Sequence, residues 1–119
     1  MAYHLRHASE WMIRLGDGTE ESHAKAQGAL DDVWPYVPEL FDPDDLDREV
    51  AALGFGVDPS TLRGDFDAAL DEVFLRATLK RPLELHGQRG GKSGRHSEHL
   101  GHMLAELQAL QRAYPDARW

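Results

Sequence analysis

The chain contains no cysteine. That excludes disulfide scaffolds, thiolate zinc sites and cysteine nucleophiles, and it fits a reducing cytoplasm, the expected location. A run of about 18 apolar residues is also missing, so no membrane-spanning helix and no membrane partner are expected. No basic-then-apolar leader opens the chain, which reads straight into Met1-Ala2-Tyr3-His4-Leu5. No segment has the alternating pattern of a strand, which leaves helix as the expected element. Positive charge is in short supply: the formal net charge is −8, which argues against nucleic acid as a partner. The 119 residues have room for one domain with a core.

The charge is unevenly placed. Glu39 to Glu72 carries eleven acids against Arg48 and Arg63, whereas Lys80 to Arg95 carries five bases against Glu84. A basic patch on an acidic protein suits an acidic partner or ligand. A solvated loop that happens to carry arginines is the plainer alternative.

Tyr3 to Phe41 organises the rest. Leu5, Ala8, Met12 and Leu15 fall on one helix face, and His23, Ala26, Leu30, Val33 and Val37 do the same on a second arm. These predict helices near 2–15 and 19–37, joined at Leu15-Gly16-Asp17-Gly18-Thr19. Glycine here suits a left-handed C-terminal cap, and Thr19 can cap the following helix. Glu20 and His23 form a Glu-x-x-His pair, the ligand arrangement of di-iron carboxylate proteins when it faces into a bundle. The alternatives are an ordinary acid in the first helical turn and a partly buried, hydrogen-bonded histidine. Pro35 and Pro38 should loosen the second helix around Trp34 before it ends near Phe41.

Asp42-Pro43-Asp44-Asp45 reads as a helix start, predicting a helix over 43–53 that stops at Gly54-Phe55-Gly56. Asp58-Pro59 repeats the signal and predicts a helix over 59–79, with Leu62, Phe66, Ala69, Val73 and Ala77 on one face and Leu70 and Phe74 widening it. Arg81-Pro82 ends it. Leu83 to Gly94 is a glycine-rich loop. Its Gly-Gly-Lys-Ser is not a phosphate-binding loop, because His86 stands where the first glycine is required and no strand precedes it. A last helix is expected over 96–114, with Leu100, Met103, Leu107, Leu110 and Tyr114 on its buried face. His96, His99 and His102 fan across roughly 120° of helix circumference, too wide to converge on one ion.

Longer strings carry more information than any ligand pair. Tyr3 to Trp11 (YHLRHASEW), Arg14 to His23 (RLGDGTEESH) and Gln88 to Gly101 (QRGGKSGRHSEHLG) resemble the C-subunit family of the bacterial ring-1,2-phenylacetyl-CoA epoxidases, also called phenylacetyl-CoA oxygenases. The resemblance covers essentially the whole chain. It implies an all-α, ferritin-like helical bundle, with this chain corresponding to the second helix pair plus C-terminal helices, starting within the third bundle helix. Residues 1–119 then form a single helical domain, a hairpin over 1–41 with a helical extension over 42–119. It also implies a cytoplasmic monooxygenase complex of phenylacetate catabolism, whose catalytic A subunit holds the di-iron centre and the thioester substrate.

On that resemblance this chain is a non-catalytic structural subunit, or a fragment of one, with no catalytic residue, no cofactor and no metal of its own. Glu20 and His23 are then vestigial ligand candidates. Trp11, Trp34, Trp119, Arg89, Lys92 and Arg95 are candidates for partner contact. Two other functions stay open at this point. One is a helical hairpin that pairs with its twin around Glu20 and His23 to rebuild a metal site. The other is a phosphate- or CoA-binding module on the basic glycine loop. The face bearing Leu5, Ala8, Met12, Leu15, Ala26, Leu30 and Val33 is expected to need cover from outside the chain, so the isolated chain is expected to self-associate.

Overall fold

The computed structural model describes residues 1–83 and 87–118. Among these every regular element is helical: α1 Ala2–Gly16, α2 Glu20–Val33, α3 Asp45–Ala52, α4 Arg63–Arg76, α5 Glu98–Leu107 and α6 Ala109–Ala113. The chain belongs to the all-α class. Short 3₁₀ turns at Trp34–Tyr36, Pro38–Phe41 and Pro59–Leu62 join or precede these helices. No helix among the described residues is long and apolar enough to cross a membrane.

Local chemistry sets most of the boundaries. Thr19 caps α2, its Oγ1 accepting from Ser22 N at 3.1 Å, with Glu20 and Glu21 in the first turn. The α-helix stops at Val33 rather than near Phe41, because Pro35 and Pro38 lack the N–H groups that α-helical bonds need; tighter 3₁₀ turns take over. Helix α3 starts two residues later than its Asp-Pro signal suggests. Asp44 and Asp47 form a reciprocal capping box at 2.8 and 3.0 Å that outcompetes capping by Asp42. The last expected helix is broken at Gln108 into α5 and α6.

The chain forms two compact units, Met1–Gln88 and Arg89–Trp119. In the first, α1 packs on both α2 and α4. Leu30, Trp34, Phe74, Ala77 and Leu79 form the core, with Met12, Ile13, Ala26, Val37 and Leu70 packed against it. The stripe read on the second arm misses at one position, Val33, while Ala26, Leu30 and Val37 face the core. Trp34 takes the inward place and Val33 is exposed, since the larger apolar surface gains more from burial. Leu5 and Leu15 are exposed, whereas Met12, Ala26 and Leu30 find cover inside the unit. In the second unit the apolar face of α5 and α6 is not covered: Met103, Leu107 and Leu110 are all exposed. The expectation of a buried face there is corrected for this chain.

The glycines of the first turn do a different job from the one expected. Neither Gly16 nor Gly18 has a left-handed backbone. A Cβ on Gly16 would lie 2.8 Å from Ala77 Cβ and closer still to Ala77 O; one on Gly18 would lie 2.6 Å from Ser22 Oγ. Close approach, not handedness, requires them.

Candidate functional site

The Glu-x-x-His segment sits where three elements meet. Gly16 ends α1, His23 stands in the first turns of α2, and Thr78 follows α4. His23 Nδ1 lies 2.7 Å from Gly16 O, and Thr78 Oγ1 donates to the same carbonyl at 3.2 Å. A carbonyl only accepts, so Nδ1 is the donor in this bond. Two donors from distant parts of the chain thereby satisfy one helix-terminal carbonyl that would otherwise lack a partner.

Thr78 holds this position at a cost. It is the only described non-glycine residue with positive φ, at 56°. A β-branched side chain is disfavoured in that left-handed region by about 1–2 kcal/mol. The backbone there closes α4 as a Schellman-type turn, Leu79 N donating to Phe74 O at 3.0 Å. Helix α3 closes in the same way, Phe55 N to Val50 O at 3.1 Å, but with Gly54 in the left-handed place at φ 76°. The hydroxyl bond to Gly16 is what threonine gains over glycine at this turn.

The reversed segment after Thr78 is clasped from both sides. Lys80 N donates to Gln27 Oε1 at 2.9 Å and Gln27 Nε2 donates to Lys80 O at 3.0 Å, so the amide stands in for a strand neighbour. Arg81 reaches back along α4: Nη1 to Asp67 Oδ1 at 2.8 Å, Nη2 to Asp71 Oδ1 at 2.7 Å and Nη2 to Asp67 O at 3.0 Å. Its guanidinium also lies over the Trp34 ring at 5.3 Å and the Phe74 ring at 5.7 Å. Both distances are within the range of cation–π attraction. Asp67 takes a second cation, Arg63 Nε at 2.7 Å. Those hydrogen bonds, Arg63 first and then Arg81, hold the Asp67 carboxyl below the usual carboxylate range against the opposing effect of burial. Burial disfavours the Arg81 charge, yet the bonds to Asp71 and Asp67 outweigh it and raise its pKa.

Gln27 and Arg81 were not singled out by sequence pattern. Asp67 and Asp71 at i, i+4 with an arginine beyond the helix end were the available signal for Arg81. Gln27 gave none, since an amide paired with backbone has no sequence spacing of its own.

The sequence-predicted residues do not all converge on one site. Glu20 is exposed in the first turn of α2, while His23 is half-buried; both line a shallow depression of about 270 Å³ with Gly16, Asp17, Gly18, Thr19 and Thr78. One imidazole and one exposed carboxylate are fewer ligands than the roughly four carboxylates and two histidines of a di-metal centre. Among the described residues no group of three or more His, Cys, Asp or Glu is placed to hold an ion. Trp34 lies in the core at 2 % exposure, with no hydrogen-bond partner for its Nε1 among the described residues. Its surface is turned to Phe74 and Arg81, not outward. Trp11 is exposed on α1. Trp119 lies outside the described residues.

Arg89, Lys92 and Arg95 are exposed on a closed loop. Gly90 O accepts from Ser93 N at 3.0 Å and Arg95 N at 2.8 Å, and Gly94 N donates to Gly91 O at 3.1 Å. Gly90 and Gly94 have φ of 104° and 84°. Glycine alone adopts such angles without strain. The loop is therefore a compact turn that projects basic side chains, with His96 after it and His99 and His102 exposed on α5.

A sequence profile of the family described as phenylacetic acid catabolic protein matches residues 1–119, the entire chain. The chain belongs to that family. It is 45% identical over 117 residues to the C subunit of the 1,2-phenylacetyl-CoA epoxidase of Escherichia coli (strain K12). That match covers 98% of this chain and 47% of the relative, so the chain spans about half the length of the curated protein it matches. In this member of the phenylacetic acid catabolic family, His23 and Thr78 both donate to the carbonyl that ends α1.

Proposed function

We propose that this chain is a non-catalytic structural subunit, or part of one, of a multicomponent phenylacetyl-CoA epoxidase. It supports a catalytic di-iron A subunit in aerobic, cytoplasmic phenylacetate catabolism, within a ferritin-like helical bundle. The observation that carries this is the 45% identity running over 98% of the chain. The residue inventory supports the non-catalytic part. There is no cysteine, and Glu20 is solvated in the first turn of α2. Contact with the partner falls to exposed groups, Trp11 and the basic loop with Arg89, Lys92 and Arg95.

The test is reconstitution of the epoxidase with full-length C subunit. Changes equivalent to Glu20→Ala and His23→Ala are expected to leave turnover intact wherever the complex assembles. Changes equivalent to Arg89→Ala and Arg95→Ala are expected to weaken assembly. Loss of epoxidation by the first pair in an intact complex overturns the reading. A metal analysis of the purified chain is expected to find no stoichiometric iron.

A further inference from the structure

Between Ala77 and Pro82 local preference and tertiary packing ask for different structures. Ala77, Leu79, Lys80 and Arg81 are good helix formers, and no glycine stands among them to stop α4. By local preference the helix runs on through Lys80, because only the residue before Pro82 is pushed out of the helical region. The chain instead leaves α4 at Thr78, with φ 56°, and Leu79 N donates to Phe74 O. At the matching turn after α3 the left-handed place belongs to Gly54, which adopts φ 76° without strain.

The two conformations place the side chains oppositely. On a continued helix Leu79 falls in line with Leu75 and Glu72, both exposed, and Arg81 in line with Ala77 and Phe74, both buried. The turn reverses this. Leu79 enters the core, and Arg81 lies over Phe74 and Trp34 while bonding Asp67 and Asp71. Tertiary contacts therefore hold the turn against the helix preference, and one of them comes from α1. Thr78 Oγ1 donates to Gly16 O at 3.2 Å, and His23 Nδ1, 2.7 Å from the same oxygen, fixes the acceptor in place. Gly16 is itself buried against Ala77, where an added Cβ would lie 2.8 Å from Ala77 Cβ. The end of α1 is thus seated directly on the residue that precedes the left-handed one.

We propose that residues 77–81 are a two-state latch set by the seating of α1. With the last turn of α1 seated, Thr78 is held left-handed and the segment is closed. With that turn withdrawn, Thr78 loses its acceptor, its strained backbone returns to the right-handed region, and α4 gains about one turn. Leu79 then leaves the core, and Arg81 lets go of Asp67, Asp71 and the Trp34 ring. A shift at the end of α1 is thereby passed to the packing around Trp34. Every group involved lies within Met1–Gln88, and the latch does not depend on the epoxidase reading.

Backbone NMR chemical shifts of residues 77–81 in the isotope-labelled full chain read the two states directly, because helix and left-handed turn differ in backbone angles. Thr78→Ala removes the hydroxyl and raises helix preference. It is expected to move residues 77–80 to helical shifts, with loss of the nuclear Overhauser contacts between Arg81 and the Trp34 ring. Thr78→Gly takes the left-handed turn without strain and is expected to keep it, although it has no hydroxyl. Gly16→Ala crowds Ala77 and is expected to shift residues 77–80 toward helix in the native background. In the Thr78→Gly background the same change is expected to leave them in the turn. Thr78 is exposed, and both of its substitutions only remove atoms, so neither crowds the fold. Residues 77–80 found in the turn or in coil in Thr78→Ala overturn the proposal. So does an equal response to Gly16→Ala in the two backgrounds.

Discussion

In the unit Met1–Gln88, Leu30, Trp34, Phe74, Ala77 and Leu79 close over one another. In the unit Arg89–Trp119, Met103, Leu107 and Leu110 each keep more than half of their surface exposed. Both units are built from helices with comparable apolar spacing. The first holds its faces together with elements that return to the same place: the 3₁₀ turns after α2 bring Trp34 in, and the strained turn at Thr78 folds Leu79 and Arg81 back onto α4. The second has only α5 and the short α6, too little structure to bury a helix face. Apolar spacing thus identifies which side of a helix seeks cover, and chain reversal decides whether the cover is supplied internally.

The sharpest way to break this contrast is truncation of a large side chain on each side of it. Trp34→Ala is expected to destabilise the chain by about 3–5 kcal/mol in chemical denaturation, because it empties the middle of the core. Next comes Gly16→Ala, expected to cost about 1–3 kcal/mol because the added Cβ collides with Ala77 backbone and side chain, which have no room to move apart. An unchanged midpoint for Gly16→Ala would mean that α1 and the end of α4 are not tied as described.

Smaller effects come from the Arg63–Asp67–Arg81 cluster. Asp67 has a depressed folded pKa, so its contribution is fully present above the unfolded value and is lost as pH falls through the lowered folded value, below about pH 4. The group is partly solvated, so Asp67→Asn should cost no more than about 1 kcal/mol at neutral pH and flatten the acid limb of the stability profile. A full acid limb in the variant would assign the acid sensitivity to other carboxylates. The smallest expected effect is Leu107→Ala, within about 0.5 kcal/mol in the isolated chain. Leu107 is 68% exposed, and a loss as large as that of Trp34→Ala would show that α5 is buried after all.

The legible parts of the fold were those governed by neighbours in sequence. Thr19, Asp44 and Asp58 cap from within two or three residues, and the prolines at 35 and 38 act on their own backbone. Boundaries moved where two local signals competed, as at Asp42 and Asp44, and where proline turned expected α-helix into 3₁₀ turns, as after Val33 and at Pro59–Leu62. The site was less legible. Glu20-x-x-His23 announced a metal-type pair, but its spacing says nothing about the chemistry around it. What holds His23 is Gly16 O, seven residues earlier, while the neighbouring Thr78 hydroxyl arrives from 62 residues beyond Gly16.

Sequence by itself determined that this chain is helical, where most of its helices start, and, through its long shared strings, the family to which it belongs. Those properties follow from hydrogen bonds and periodicities within a few residues, and from the specificity of long matches. Only the tertiary structure decided that Trp34 and not Val33 is buried, that His23 ties two helix ends together, and that Arg81 closes over Trp34 and Phe74. The last of these depends on chain reversal at Thr78, a left-handed threonine that no local preference selects. Its hydroxyl is held by a carbonyl of another helix, and a contact of that kind exists only once the helices have met.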